Sequence, residues 1–302
     1  MRTTGQIELR RCRPLLGTFV EIVGFGTNVA NLERAFESAF SAIAQVHRLM
    51  SFHDPQSDVS RLNRDACHKA VRIDPWTWRV LKSAQEFARD SDGIFDVTIA
   101  GQLVKWNYLP SHGGHCGTST WHDIILEAAG RVRFRCPLLI DFGGIAKGFA
   151  VDRAVEILKQ NRVMAGIVNA GGDLRVFGSA SQLVHLRHPN QPNRAAGVMR
   201  LRERAIATSG IYFARKKNRR CCVSPMLDAR TGRPACESIS VTVGAANCMT
   251  ADALTKVVFA LRGGAAPLLA HYSADALLLE RDGAPSWIFH SSCDNRYPTR
   301  FD

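Results

Sequence analysis

The sequence predicts an α+β fold, with mixed, largely antiparallel sheets and helices packed against them. Three observations carry this expectation. Segments rich in β-formers and segments with helical periodicity follow one another without a regular βαβ rhythm. Strand pairs are joined by short glycine turns, as in Gly166 to Gly178, GIVNAGGDLRVFG. A hydrophobic content of 46% over 302 residues suffices for a substantial core, and the length fits two domains or one large one.

Thr18 to Phe25, TFVEIVGF, follows Gly17 and makes the expected first strand. Asn28 caps a helix running to about Met50, with Leu32, Phe36, Phe40, Ile43 and Met50 on its buried face. Ser51 to Arg64 is polar and reads as a loop. Asp74 before Pro75 is a cap followed by an N1 proline. That second helix buries Val80, Leu81, Ala84, Phe87 and Ala88 and stops at Ser91-Asp92-Gly93. Ile94 to Trp106 reads as packed irregular structure. Ser111 to Asp123 is a loop whose His112, His115, Cys116 and His122 match no helix-face zinc spacing, so no metal is expected there. Ile124 to Ile140 reads as a hairpin turning near Ala128 to Gly130.

Leu138 to Leu158, LLIDFGGIAKGFAVDRAVEIL, is the pivotal stretch. Leu138-Leu139-Ile140 reads as the end of a buried strand. Gly143 and Gly144 provide a sharp turn, since glycine tolerates positive φ. A helix follows, buried through Val151, Val155 and Leu158, with Asp152, Arg153, Glu156 and Lys159 outward. Asp141 and Lys147 flank the turn. A helix start presents free N–H groups and suits a phosphate, but the stretch equally fits an ordinary tight connection. It matches neither GxGxxG nor a Walker A loop, because Lys147 is followed by Gly148 and Phe149.

Further on, Leu183 to Leu186 and Gly197 to Leu201 are expected strands, and Ile206 to Gly210 ends a strand in small hydroxyl residues. Arg215 to Arg220, RKKNRR, reads as a solvated hairpin loop, since no aromatic residue interleaves its charges. Asp228 to Pro234 has turn composition, and Ser240 to Gly244 is a strand. Thr250 is the expected cap of a helix ending on Gly263. Ala276 to Glu280 and Ser286 to Phe289 form a closing hairpin across Arg281-Asp282-Gly283.

The net charge of +12 and pI near 9.6 favour an anionic partner without naming one. Nine cysteines, without a CxxC pair, argue against a disulfide framework and for a reducing compartment. The segment MRTTGQIELRRCRPLLG lacks an apolar leader core, and no apolar run looks long enough to span a bilayer. A soluble, cytoplasmic protein without a transmembrane segment is expected.

Eight motifs stand in a fixed order: RPLLGTFVEI, MSFHDPQSDVSRLN, SDGIFDVTIA, DFGGIAKGFAVD, NAGGDLRVFG, ATSG, DARTGRP and SVTVGAANCMTADAL. Together they resemble the ApbE family of FAD:protein FMN transferases. The resemblance implies one domain over residues 10–291, built of two interleaved lobes, with 1–9 and 292–302 as terminal extensions. It implies Mg²⁺-dependent transfer of FMN from FAD to a Thr or Ser hydroxyl of an acceptor protein, with release of AMP. The alternatives are an FAD-binding protein without transferase activity or a Mg²⁺-dependent FAD pyrophosphatase. Specific nucleic-acid binding is not expected. Asp252 and Lys256 become the catalytic pair. Leu16, His53, Ile94, Phe95, Asp96, Asp141 and Lys147 would bind the cofactor. The Ala146 carbonyl, Asp252 and Thr255 would hold the metal. Taken alone, Asp252 is also a dipole-favoured acid in a first helical turn, Asp141 a turn cap and Phe95 plain core. Four positions depart from the family pattern. Lys256 stands where a metal-ligating Thr is usual, with Thr255 one residue early. His53 replaces a flavin-stacking Tyr, Pro225 a His, and Ile211 an Asp after ATSG.

Overall fold

The structure, a computed structural model, describes residues 6–111, 119–179, 181–191, 193–211, 216–218, 221–235, 237, 239–288 and 299–301. The chain opens on a strand that composition hides, β1 (Ile7–Leu15), paired along its whole length with β2 (Thr18–Gly26). Arginines and a proline make β1 read as polar, which is how an exposed edge strand is built. Between the two strands, Leu16 and Gly17 both adopt positive φ, 56° and 69°, in a two-residue turn whose twist matches the hairpin.

Helix α1 (Val29–Met50) starts where Asn28 accepts a bond from Asn31 N and buries the expected face. The segment expected as loop contains α2 (Asp58–Asp65), capped by Ser57. Only Val59 and Leu62 are apolar in that helix, and its buried face includes Asp58 and Ser60, so periodicity had little to show. After β3 (Val71–Arg72) comes α3 (Pro75–Asp90), capped by Asp74 as expected. Within Ile94 to Trp106 a 3₁₀ turn (Val97–Ile99) leads into α4 (Ala100–Lys105), more regular than expected. β4 (Ile124–Glu127) and β5 (Arg131–Phe134) form the predicted hairpin. Leu138-Leu139-Ile140 is buried but forms no strand. The Asn63 side chain satisfies Ile140 instead, accepting from its N at 2.8 Å and donating to its O at 3.1 Å. His122 stacks on Trp121, while His112, His115 and Cys116 lie outside the described residues.

Helix α5 (Ala146–Gln160) leads into the hairpin β6 (Ala165–Ala170) and β7 (Asp173–Gly178). There follow β8 (Gln182–Arg187), β9 (Ala195–Leu201) and β10 (Ala205–Gly210). Two short hairpins come next: β11 (Lys216–Asn218) with β12 (Cys221–Val223), and β13 (Leu227–Asp228) with β14 (Arg233–Pro234). The basic run thus enters a hairpin, although Arg215, Arg219 and Arg220 lie outside the described residues. β15 (Ser240–Ala245) precedes α6 (Cys248–Leu261), and α7 (Ala266–His271) precedes β16 (Asp275–Leu279) and β17 (Pro285–Ile288). The cap of α6 is Asn247 rather than Thr250. Its side chain accepts from Thr250 N at 2.8 Å, and the helix stops at Leu261, short of Gly263. β18 (Thr299–Phe301) pairs with β9.

The frame is an eight-stranded sheet in the order β1-β2-β6-β7-β10-β15-β16-β17, antiparallel at every described pair. Residues alternate between its faces. Phe177, Ala205, Ala207 and Ala276 join a large core with α1, α3, α5 and α6. Leu174, Val176, Ile206, Leu277 and Leu279 join a smaller one under the sheet β18-β9-β8. The chain leaves the frame after α1, builds a second lobe from α2 to β5, and returns at α5, so the lobes interleave. One stretch, Cys248–His271, reaches the length and composition of a membrane-spanning helix, against the expectation that none does. It is bent at Arg262 (φ 52°), and most of α6 is buried against α5, β10 and β15.

Candidate active site

Two adjoining cavities, of about 310 and 320 Å³, lie where the lobes meet. They share Leu109, Asp141 and Gly143. Ile94, Phe95, Tyr108, Leu109 and Met226 give the first an apolar wall, and Lys256 closes one side. The second is bounded by Leu16, His53, Ala146 and Lys147. Most of the predicted site residues are thus brought to one cleft from five separate stretches of chain. Thr255 is fully buried beneath it. Of the departures from the family pattern, Pro225 lines the first cavity, whereas Ile211 is core.

The glycine turn works differently from expectation. Gly143 and Gly144 are not among the positive-φ residues. Their missing Cβ atoms leave room for two side chains. A Cβ on Gly143 would lie 2.7 Å from Asp141 Oδ2, and one on Gly144 would lie 3.3 Å from Lys256 Cε. The turn therefore lets the Asp141 carboxylate fold back onto Gly143 N at 3.0 Å and lets Lys256 pass across it. Burial raises the Asp141 pKa above the usual carboxylate range, partly offset by Gly143 N–H and His53. Asp96 is committed to structure: its oxygens accept from Thr98 N at 2.8 Å and Trp121 N at 2.9 Å, which pins the wall of the cleft.

Under the cleft sits a compact charged cluster. Lys256 is ion-paired to Asp252 one helical turn earlier, and Lys147 is ion-paired to Asp173. Asp252 and Asp173 are 0% and 1% exposed. Asp252 Oδ2 also accepts from Gly148 N at 3.2 Å, so it caps α5, and this helix N–H is not open to a phosphate. Lys256 Nζ donates further to the Asp252 carbonyl at 3.0 Å and to Ser209 Oγ at 3.4 Å. Thr255 Oγ1 donates to the Asp252 carbonyl at 2.7 Å and shares a 2.8 Å bond with Ser209 Oγ. Burial pushes the Asp252 carboxyl up, but Lys256 and Lys147 outweigh it and hold its pKa below the usual range. Burial and the charge of Asp252 raise Asp173. Burial opposes the Lys147 ammonium, yet Asp173 and Asp252 raise its pKa. Two carboxylates and two lysine side chains thus pair off within the cluster.

Several of these partners escaped the sequence. Asp173 follows Gly171 and Gly172, whose φ values of 65° and 106° begin β7 with its side chain turned inward. The signal was an acid behind a glycine pair. Ser209 was visible only as part of ATSG. Asp152, expected on the outer side of α5, is 6% exposed. Its two oxygens accept from Cys248 N and Met249 N, both at 2.9 Å, and it pairs with Arg175 at 2.7 Å. It fastens the start of α6, and with it Asp252, to α5.

Asp252 and Thr255, two of the groups expected to hold Mg²⁺, do not fit that ion as they stand. An ammonium already lies on Asp252 Oδ1, and the Thr255 hydroxyl is turned to a carbonyl and to Ser209. Mg²⁺ demands near-octahedral oxygen ligands at roughly 2.1 Å and is repelled by a neighbouring ammonium. Among the described residues no three His, Cys, Asp or Glu side chains converge on a metal position.

Known proteins share this architecture. The FAD:protein FMN transferase of Treponema pallidum is 25% identical over 84% of this chain and 79% of its own length. That of Chlamydia trachomatis is 29% identical over 73% of this chain and 75% of its own. The crystal structure of the ApbE protein from Thermotoga maritima superposes with a TM-score of 0.82 at 27% identity, covering 93% of this chain and 96% of that one. The flavin transferase ApbE of Vibrio cholerae has the same fold, with a TM-score of 0.77 at 23% identity over 95% of this chain and 97% of that one. The sequence profile of the ApbE family matches residues 16–278, from the Leu16 turn into β16 and so across the whole cleft: the chain belongs to the ApbE family.

Proposed function

We propose that this protein transfers the FMN moiety of FAD to a Thr or Ser hydroxyl of an acceptor protein and releases AMP. One observation carries the reading. A single cleft offers an apolar wall at Ile94, Phe95, Tyr108 and Leu109 for a flavin ring, and two ammonium groups, Lys147 and Lys256, at the level of Asp141 for a pyrophosphate. The relatives, named as FAD:protein FMN transferases, give independent support. In the reaction the acceptor hydroxyl oxygen bonds to the FMN phosphorus. The bridging bond to AMP breaks, its electrons leave with the AMP phosphate, and the hydroxyl proton goes to solvent. The work of the site is positioning and charge neutralisation, as in other phosphoryl transfers. Lys256 occupies the Asp252 carboxylate oxygen that a metal would need.

The test is covalent labelling. Purified protein, FAD and a panel of Thr- and Ser-containing acceptor proteins are incubated and resolved on denaturing gels. The expected result is a flavin-fluorescent acceptor band with AMP released in equal amount. FAD bound tightly, with no labelled acceptor and no AMP, refutes transfer. Free FMN and AMP formed without an acceptor identify hydrolysis in its place.

A further inference from the structure

The inference below rests on the flavin-nucleotide reading of the cleft. A pyrophosphate entering it brings negative charge to a place where two carboxylates are already buried. Such a site needs cations, and phosphoryl-transfer sites usually obtain them from Mg²⁺. Here the chain supplies them covalently. Lys256 and Lys147 are the lysines lining the two cavities, and each is tethered by a buried carboxylate.

The hydrogen bonds of Lys256 show how it would act. An ammonium has three donors. One goes to Asp252 Oδ1, one to the Asp252 carbonyl at 3.0 Å, and one to Ser209 Oγ at 3.4 Å. The first two hold the side chain along its own helix. The last is long, and a phosphate oxygen replaces it at little cost. The side chain is 13% exposed, so its charge is little screened by water, yet it reaches the cavity lined by Phe95 and Gly144. Gly144 carries no side chain that would block this path. On the other side, Lys147 is 35% exposed and faces the second cavity from the start of α5. Two tethered lysine side chains therefore line the cavities on either side of Asp141 and Gly143, two of the three residues common to both.

We propose that Lys256, with Lys147, takes the place of a divalent cation on the FAD pyrophosphate, and that the protein binds its nucleotide without Mg²⁺. Lys256 is then a residue that touches substrate, and Asp252 is its positioning partner rather than a metal ligand.

The experiment follows FAD binding to the full chain by flavin fluorescence, in EDTA and in saturating Mg²⁺, with calorimetric titration of Mg²⁺ into the FAD complex. The expected result is an FAD Kd unchanged within about twofold between the two conditions and no Mg²⁺ binding heat, since the charge partner is built in. Lys256→Met weakens FAD by about ten- to a hundredfold, the scale of one lost charge-assisted hydrogen bond. Lys256→Arg keeps the charge and stays insensitive to EDTA, which separates loss of charge from loss of fold. The EDTA comparison on the unaltered protein depends on no variant. FAD binding that requires Mg²⁺ overturns this inference and leaves the transfer reading standing. FAD binding in EDTA without any acceptor labelling does the reverse. No FAD binding under either condition overturns both.

Discussion

Replacing Gly148 by alanine tests how α6 is held against α5. An added Cβ would lie 2.4 Å from the Cys248 carbonyl oxygen, 2.6 Å from its carbon and 2.8 Å from Met249 Cα. Ordinary contact begins near 3.5 Å, so the start of α6 must retreat by about 1 Å. These neighbours are backbone and have no rotamer to escape into. The retreat stretches the bonds from Cys248 N and Met249 N to Asp152, now 2.9 Å, and the bond from Gly148 N to Asp252, now 3.2 Å. Overpacking costs about 1–3 kcal/mol, and weakening bonds to charged groups adds roughly 1–2 more. Against this stands the helix propensity of alanine over glycine, about 1 kcal/mol. The clash wins, with a net loss near 3 kcal/mol and a melting point lower by on the order of 5 °C. FAD affinity falls too, because Asp252 and Lys256 move with α6. Gly263→Ala is the control, since nothing lies within 4 Å of its added Cβ. Differential scanning calorimetry reads both. A Gly148→Ala melting point equal to or above that of the unaltered protein refutes the packing argument.

Asp152→Ala leaves Arg175 and the first N–H groups of α6 without their carboxylate, and breaking such a buried pair costs about 3–5 kcal/mol. An unfolding free energy from urea titration within about 1 kcal/mol of the unaltered protein contradicts the role assigned to Asp152. Away from the cleft, Asp90 accepts from Tyr272 Oη at 2.7 Å and Arg89 Nε at 2.8 Å. Burial alone raises the Asp90 pKa, but these hydrogen bonds and the nearby Arg89 and His271 charges outweigh it and lower the value. A lowered folded pKa adds stability above the unfolded carboxylate range near 3.9, and that stability is lost as pH falls through the folded value. The stability difference between the unaltered protein and Asp90→Asn is therefore present at neutral pH and disappears in acid; a difference constant with pH rules this out.

Much of the fold is legible in the sequence because its signals are local. Caps at Asn28 and Asp74, apolar periodicity in α1 and α3, and glycine turns at Gly171-Gly172 and Gly283 act within a few residues of themselves. The order of eight motifs locates the cleft, and the structure brings Leu16, His53, Phe95, Asp141, Lys147 and Lys256 to it. What the sequence could not give depends on distant partners. β1 reads as polar because it is an edge, α2 is hidden because its buried face is polar, and Leu138-Leu139-Ile140 looks like a strand until Asn63 takes the strand's place. Asp152 and Asp173 are acids of no evident role until α6 and Lys147 are folded against them. Gly143, Gly144 and Gly148 illustrate the division most clearly. Their presence is written in the chain, but what a side chain there would meet is known only from the fold: the Asp141 carboxylate, the Lys256 side chain and, for Gly148, the unyielding Cys248 backbone. The sequence by itself named the motifs that carry Leu16, His53, Phe95, Asp141, Lys147 and Lys256; tertiary structure decided which other residues join them, and that Lys256 lies on Asp252, because only packing fixes where a long charged side chain ends.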